Sequence, residues 1–188
     1  STDIQNGITI TETDEIYVYG KMKSDTQFDA ITAMMTGNTI SAYIAKISVD
    51  GVWENVFVVS GDTSNSQIGE LAIDSDCNGD IYIHGSYLGN LILGSTTLTA
   101  NGSDVFLIKM NSQGEYLWSK SFDINIQYAP NITTDKIKKV YTAIIITSNV
   151  VIDGMPINLI GNRNIVIVKF NKDGLLQTIS QIDISDAL

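Results

Sequence analysis

The chain repeats one pattern three times. "AYIAKISVDG" (42–51), "VFLIKMNSQG" (105–114) and "IVIVKFNKDG" (165–174) share a run of apolar residues, a lysine, an apolar residue and a closing glycine. The lysines are Lys46, Lys109 and Lys169, spaced 63 and 60 apart, and Gly51, Gly114 and Gly174 keep the same spacings. Upstream, "EIYVYG" (15–20), "DIYIHG" (80–85) and "KVYTAI" (139–144) align on Tyr17, Tyr82 and Tyr141. Eight residues after each glycine stands an apolar residue: Val59, Phe122 or Ile182. A unit of this length cannot bury its apolar residues alone, so a chain built this way has to stack its units. The repeats run approximately over 1–60, 61–126 and 127–188 of the 188 residues.

Within a unit the apolar residues alternate, which is the period of a strand. In the middle copy, strands are predicted over "GELAID", "DIYIHGSY", "DVFLIKMN" and "EYLWSKSF". Asn78-Gly79 between the first two reads as a two-residue hairpin turn, whose type I′ form needs positive φ at both central residues. "LGNLILGSTTLTANGS" reads as a connection between the second and third strands. In the first copy the corresponding slot, "FDAITAMMTGN" (28–38), places Phe28, Ile31, Met34 and Met35 at helical spacing, so a short helix competes there. The expected fold is all-β: four-stranded antiparallel sheets, three in this chain, of the kind that form propeller blades.

The pattern resembles the SBBP-type β-propeller repeat, roughly "xxIAxDxxGNxYVTG…DxFVAKxDxxGxxLWAxxF". The middle copy carries most of the likeness, in "LAIDSDCNGDIYIHG" and "DVFLIKMNSQGEYLWSKSF". The first copy carries "EIYVYG" and "AYIAKISVDG", with Trp53 two residues after the glycine where Trp118 is four after. The third keeps "VYTAI" and "IVIVKFNKDG" without a tryptophan. The likeness implies a β-propeller, on a cell or virion surface or in a secreted protein, and usually without assigned chemistry. Three blades do not close a ring, because propellers have about four to eight. The chain is therefore expected either to be part of a larger propeller or to join further chains, for example as two sets of three.

Charge excludes several classes. The net charge is −10, Arg163 is the only arginine, and the lysines are scattered apart from Lys136, Lys138 and Lys139. No basic stripe exists for phosphate contacts, so neither nucleic acid nor an anionic membrane surface is an expected partner. The most apolar run, "YTAIIITSNVVI", is too short to span a bilayer as a helix. Cys77 is the only cysteine, which rules out an internal disulfide and a CxxC site.

Catalytic signatures are missing as well. The sequence has no G-x-S-x-G, G-x-G-x-x-G, P-loop or H-E-x-x-H. His84 is the only histidine, and its position in an alternating strand reads as half-exposed. No residue is expected to be catalytic, and no cofactor is expected apart from a cation. The repeated lysines read as framework residues whose stems pack and whose ammonium groups meet an acid or a carbonyl. The repeated tyrosines read as filling the space between blades. Trp53, Trp118, Tyr87 and Tyr116 read first as packing and second as a sugar-stacking surface.

One turn stands out: "DSDCNGDIYIHG" (74–85). Asp74, Asp76, Asn78 and Asp80, with Gly79, match the opening of an EF-hand loop, but position twelve is Gly85 instead of a bidentate glutamate. The EF-hand reading fails. A solvated hairpin turn is the leading reading, and a weak calcium site formed by Asp74, Asp76, Asn78 and Asp80 is the alternative.

The expected function is that of a non-enzymatic structural or interaction module, a scaffold presenting loops to a protein partner or assembling with further blades. A carbohydrate-binding propeller, and part of a propeller enzyme whose site lies outside this chain, are the alternatives.

Overall fold

The structure is a computed structural model; it describes residues 4–11, 14–35, 40–62, 65–125 and 131–185. Among these residues the regular structure is all strand. The first sheet is formed by β1 (Ile4–Ile10), β2 (Ile16–Met22), β5 (Ser41–Ile47) and β6 (Trp53–Val59), adjacent in that order. The second is β7 (Gln67–Ser75), β8 (Ile81–Leu93), β9 (Thr96–Met110) and β10 (Tyr116–Phe122). The third is β11 (Asn131–Thr134), β12 (Val140–Ile146), β15 (Asn164–Phe170) and β16 (Leu176–Asp183). Every pairing within them is antiparallel, so all three are up-and-down meanders of one topology.

Register explains the repeat. Tyr17 pairs with Lys46, Tyr82 with Lys109 and Tyr141 with Lys169. Residues directly opposite share one face of a sheet. Each sheet therefore has a tyrosine face and an opposite face. On the tyrosine face stand Tyr17, Ala42, Ile44 and Val59 in the first sheet, and Tyr82, Val105, Leu107 and Phe122 in the second. Tyr141, Ile165, Ile167 and Ile182 occupy the same slots in the third.

The sheets stack face on face. The tyrosine face of the first packs on Leu71, Ile73, Ile81, Ile83, Phe106 and Ile108 of the second. The tyrosine face of the second packs in the same way on Val140, Ile144, Ile146, Val166, Val168 and Phe170 of the third. The second sheet is thus covered on both sides, and its central strands run through five and seven consecutive buried residues. Its near-continuous apolar sequence follows from that position.

Each sheet also carries a hairpin between its second and third strands. In the first repeat it is β3 (Thr26–Phe28) with β4 (Ile31–Ala33), where the sequence allowed a helix. The helical spacing was satisfied differently: Phe28 and Ile31 face each other across a two-residue turn at Asp29, whose φ is 48°. Residues 36–38 of that candidate helix lie outside the described residues. In the second repeat the expected connection is itself strand. β8 and β9 continue past an irregularity at Gly89 and pair from Asn90–Thr99 to Leu93–Thr96. The third repeat has β13 (Val150–Ile152) and β14 (Met155–Ile157). These hairpins lie on the opposite face of their own sheet. Leu91 and Leu93 enter the core between the first two sheets, and Ile152 and Ile157 enter the next one.

Candidate functional site

Among the described residues, six turns of one design join the strands at one end of the sheets. The acidic turn shows the scheme. Asp76 N–H donates to the Asp80 carbonyl (2.9 Å), and Gly79 N–H donates to the Asp76 carbonyl (2.9 Å). Gly79 has φ 78°, while Asn78 has no positive φ. The turn is therefore a three-residue loop closed by a left-handed glycine, not the two-residue I′ turn expected from Asn-Gly. The same two bonds recur around Thr11, Ser48, Asn111, Asp135 and Asn171. All six leading residues are short and bear a side-chain oxygen, and each oxygen accepts a backbone N–H of its own loop. A short acceptor at this position holds the turn by the mechanism of an Asx or Ser/Thr turn.

That scheme accounts for Asp76. Its Oδ1 accepts from the N–H groups of Asn78 (2.9 Å) and Asp80 (3.3 Å). Its Oδ2 accepts from the Tyr82 hydroxyl (3.2 Å) and lies 3.4 Å from Lys109 Nζ. The other two carboxylates of the cluster have different partners. Asp80 pairs with Lys109 at 2.8 Å. Asp74 reaches into the third repeat, where it accepts from Thr134 N–H at 2.7 Å. Asn78 enters the scheme through its backbone N–H. Among the described residues no group of three or more His, Cys, Asp or Glu is placed to hold a metal ion. Binding to the native state alone raises a melting temperature. We expect millimolar calcium to leave the melting temperature unchanged in a thermal-shift titration; a saturable rise would establish the cation reading.

The lysine and tyrosine slots form a station in every sheet. Lys109 is 4% exposed and lies 4.9 Å over the Tyr82 ring. Burial works against its ammonium, but the hydrogen bond with Asp80, supported by Tyr82 and Asp76, holds its pKa above the ordinary lysine value. Lys46 pairs with Glu15 at 2.6 Å and Glu54 at 3.1 Å. Lys169 lies 5.0 Å over the Tyr141 ring, whose hydroxyl donates to Asp135 at 3.0 Å. Burial pushes the hydroxyls of Tyr17 and Tyr82 up to about 12. A lysine held this firmly as the cation is unsuited to nucleophilic work, which needs the free amine.

His84 is a correction. It is fully buried, not half-exposed, because it stands on the covered tyrosine face of the second sheet. Its Nδ1 lies 2.8 Å from Thr142 Oγ1 of the third sheet. Burial lowers its pKa from 6.5 to about 4. Each ring nitrogen donates or accepts a hydrogen bond as the tautomer dictates, and the hydroxyl of Thr142 can meet either form.

The aromatic residues are engaged in packing. Trp53 meets Phe28 edge-on at 5.0 Å. Trp118 meets Tyr82 at 5.9 Å and donates its indole N–H to the Lys172 carbonyl of the next repeat at 2.9 Å. Tyr87 is buried, with its hydroxyl 2.7 Å from Ser121 Oγ. Tyr116 packs on the core between the first two sheets. Trp118 also borders an open cavity of about 570 Å³ lined by Asn78, Asp80, Lys109, Lys138 and Lys172. Two ion pairs cross the stacked faces, Lys21–Glu70 and Lys120–Asp153, each at 2.6 Å. Cys77 is a free thiol, its Sγ 3.9 Å from the Lys136 carbonyl.

Sequence reading missed Thr134, Thr142 and Asp135. The first two join the second and third repeats, and Asp135 is the third-repeat counterpart of Asp76. Its offset of 59 from Asp76, the same as that of Tyr141 from Tyr82, was the available signal. The geometry defines an all-β chain of three like sheets stacked face on face. No protein-family model matches the chain, and no curated protein matches it either.

Proposed function

We propose that the three sheets are propeller-type blades and that the chain is a non-enzymatic scaffold, of the SBBP repeat kind that its sequence resembles. It acts by stacking sheet faces and presenting its turns and hairpins to a protein partner on a cell or virion surface or in a secreted assembly. The observation that carries this reading is the repetition of one face, slot for slot, with two of its three copies buried against a following sheet. The titratable groups support it too. The lysine stations are engaged in ion pairs and ring contacts within their own sheets, and His84 joins the second sheet to the third.

The cavity beside Trp118 favours carbohydrate as a second reading, since an indole with amide and charged groups around it suits a sugar ring. A glycan array separates the two. The scaffold reading expects no glycan retained by the wild-type chain. Binding that disappears in Trp118→Ala replaces it with the lectin reading.

A further inference from the structure

The third sheet repeats the tyrosine face but leaves it uncovered. Tyr17, Ala42, Ile44 and Val59 are fully buried, as are Tyr82, Val105 and Leu107, with Phe122 nearly so. Their counterparts Ile167 and Ile182 are 37% and 51% exposed, and Tyr141 and Ile165 are only half-buried. Asn131, Ile132, Thr133, Tyr141, Ala143 and Ile167 line an open hollow on this side of the molecule. At the other end of the stack the first sheet leaves its opposite face open. Ile8 and Ile10 are 60% and 63% exposed there, although Ile73, the counterpart of Ile8, is buried in the second sheet. This face is already half-prepared: its hairpin lays Phe28 and Ala33 on Tyr43 and Ala45, as the other hairpins do on their sheets.

We propose that the uncovered tyrosine face of the third sheet docks on the open face of the first sheet of a second copy of this chain. The inference rests on the blade reading above and specifies its partner. Two internal contacts already show what covers this face: the opposite face of a like sheet. A second copy always offers one. Such a contact is heterologous, and it forms a ring if the rotation closes and a filament if it does not. Among multiples of three, only six falls within the range of about four to eight blades, so two copies close the ring. Each copy carries a charge of −10, so association strengthens as salt rises.

Analytical ultracentrifugation of the chain tests this. A species of twice the 20.5 kDa chain mass is expected at micromolar concentration. A strict monomer overturns the proposal and gives the face to other blades or a foreign protein. A polymer whose mass climbs with concentration overturns the two-copy ring. Ile167→Glu and Ile8→Glu each bury a carboxylate at one side of the contact, so each alone weakens association about a hundredfold or more. Mixing the two variants pairs the intact third sheet of one with the intact first sheet of the other. The dimer then returns, at higher concentration than for the wild type. A dimer that survives either substitution, or that fails to return on mixing, overturns the head-to-tail geometry. The wild-type mass stands whether or not the variants fold. A monomer with an empty glycan array removes the self-docking and leaves the scaffold reading in place.

Discussion

Asp76→Ala lowers the free energy of unfolding by about 2–3 kcal/mol, the upper range for leaving buried hydrogen-bonding groups without their acceptor. The carboxylate has no exposed surface, and the lysine it faces is nearly as enclosed. Removing it leaves Lys109 with Asp80 as its remaining carboxylate, and takes the acceptor from two backbone N–H groups and the Tyr82 hydroxyl. Asp76→Asn keeps an oxygen for the turn but loses the charge, so it falls between alanine and wild type. Asp135→Ala removes the same turn acceptor in the third repeat, where Tyr141 and Lys169 are less enclosed, and costs about 1 kcal/mol. Urea unfolding followed by tryptophan fluorescence gives all three values. Equal losses for Asp76→Ala and Asp135→Ala would show that the turn alone matters and the buried pair does not.

Acid weakens the fold in a window set by His84. Its folded pKa of about 4 lies below the 6.5 of the free side chain. Above pH 6.5 the imidazole is neutral in both states and burial carries no protonation penalty. As pH falls from 6.5 towards 4, the unfolded chain binds a proton that the folded chain refuses. Stability is lost across that window, by about 3 kcal/mol for a difference of this size. Backbone and Tyr141 hydrogen bonds outweigh desolvation and hold Asp135 below its ordinary value, so its contribution is lost as pH falls through its folded pKa. Asp104 is raised by burial and works the other way, since its protonation relieves a penalty. Chemical denaturation at stepped pH values reports the slope. His84→Gln can still meet the Thr142 hydroxyl but cannot titrate, so it flattens the curve between pH 6.5 and 5. A variant with the wild-type slope there would clear His84 of the effect.

The architecture was largely legible because strand register turns sequence offsets into positions. Once Tyr17, Tyr82 and Tyr141 align with Lys46, Lys109 and Lys169, the two central strands of every sheet are paired. What the strand period does not reveal is which face is covered. His84 looked half-exposed because its counterparts are Tyr19 and Ala143, which have no common polarity. Its place two residues after Tyr82 was the better guide, since alternate strand residues share a face. The first hairpin was obscured for a geometric reason: residues three apart meet on a helix and also across a two-residue turn. The acidic turn left a hairpin turn and a cation site both open because its three carboxylates are close in sequence, and spacing alone does not show their partners. In space Asp74 bonds the third repeat, Asp76 bonds its own loop, and Asp80 holds Lys109.

The second sheet has a neighbour on each side, while the outer two have one each. In a linear stack, stability is approximately a sum of unit terms and contacts between neighbours. The middle repeat therefore anchors both of its neighbours, and its loss uncouples them. A substitution at Ile83 or Leu107 weakens a junction inside the chain shared by two repeats, whereas one at Ile8 or Ile182 leaves both internal junctions intact and acts on the contact between copies. Tolerance of the single copy's fold follows the same gradient, lowest at the centre, while the open faces of the outer sheets are constrained by docking instead of by folding.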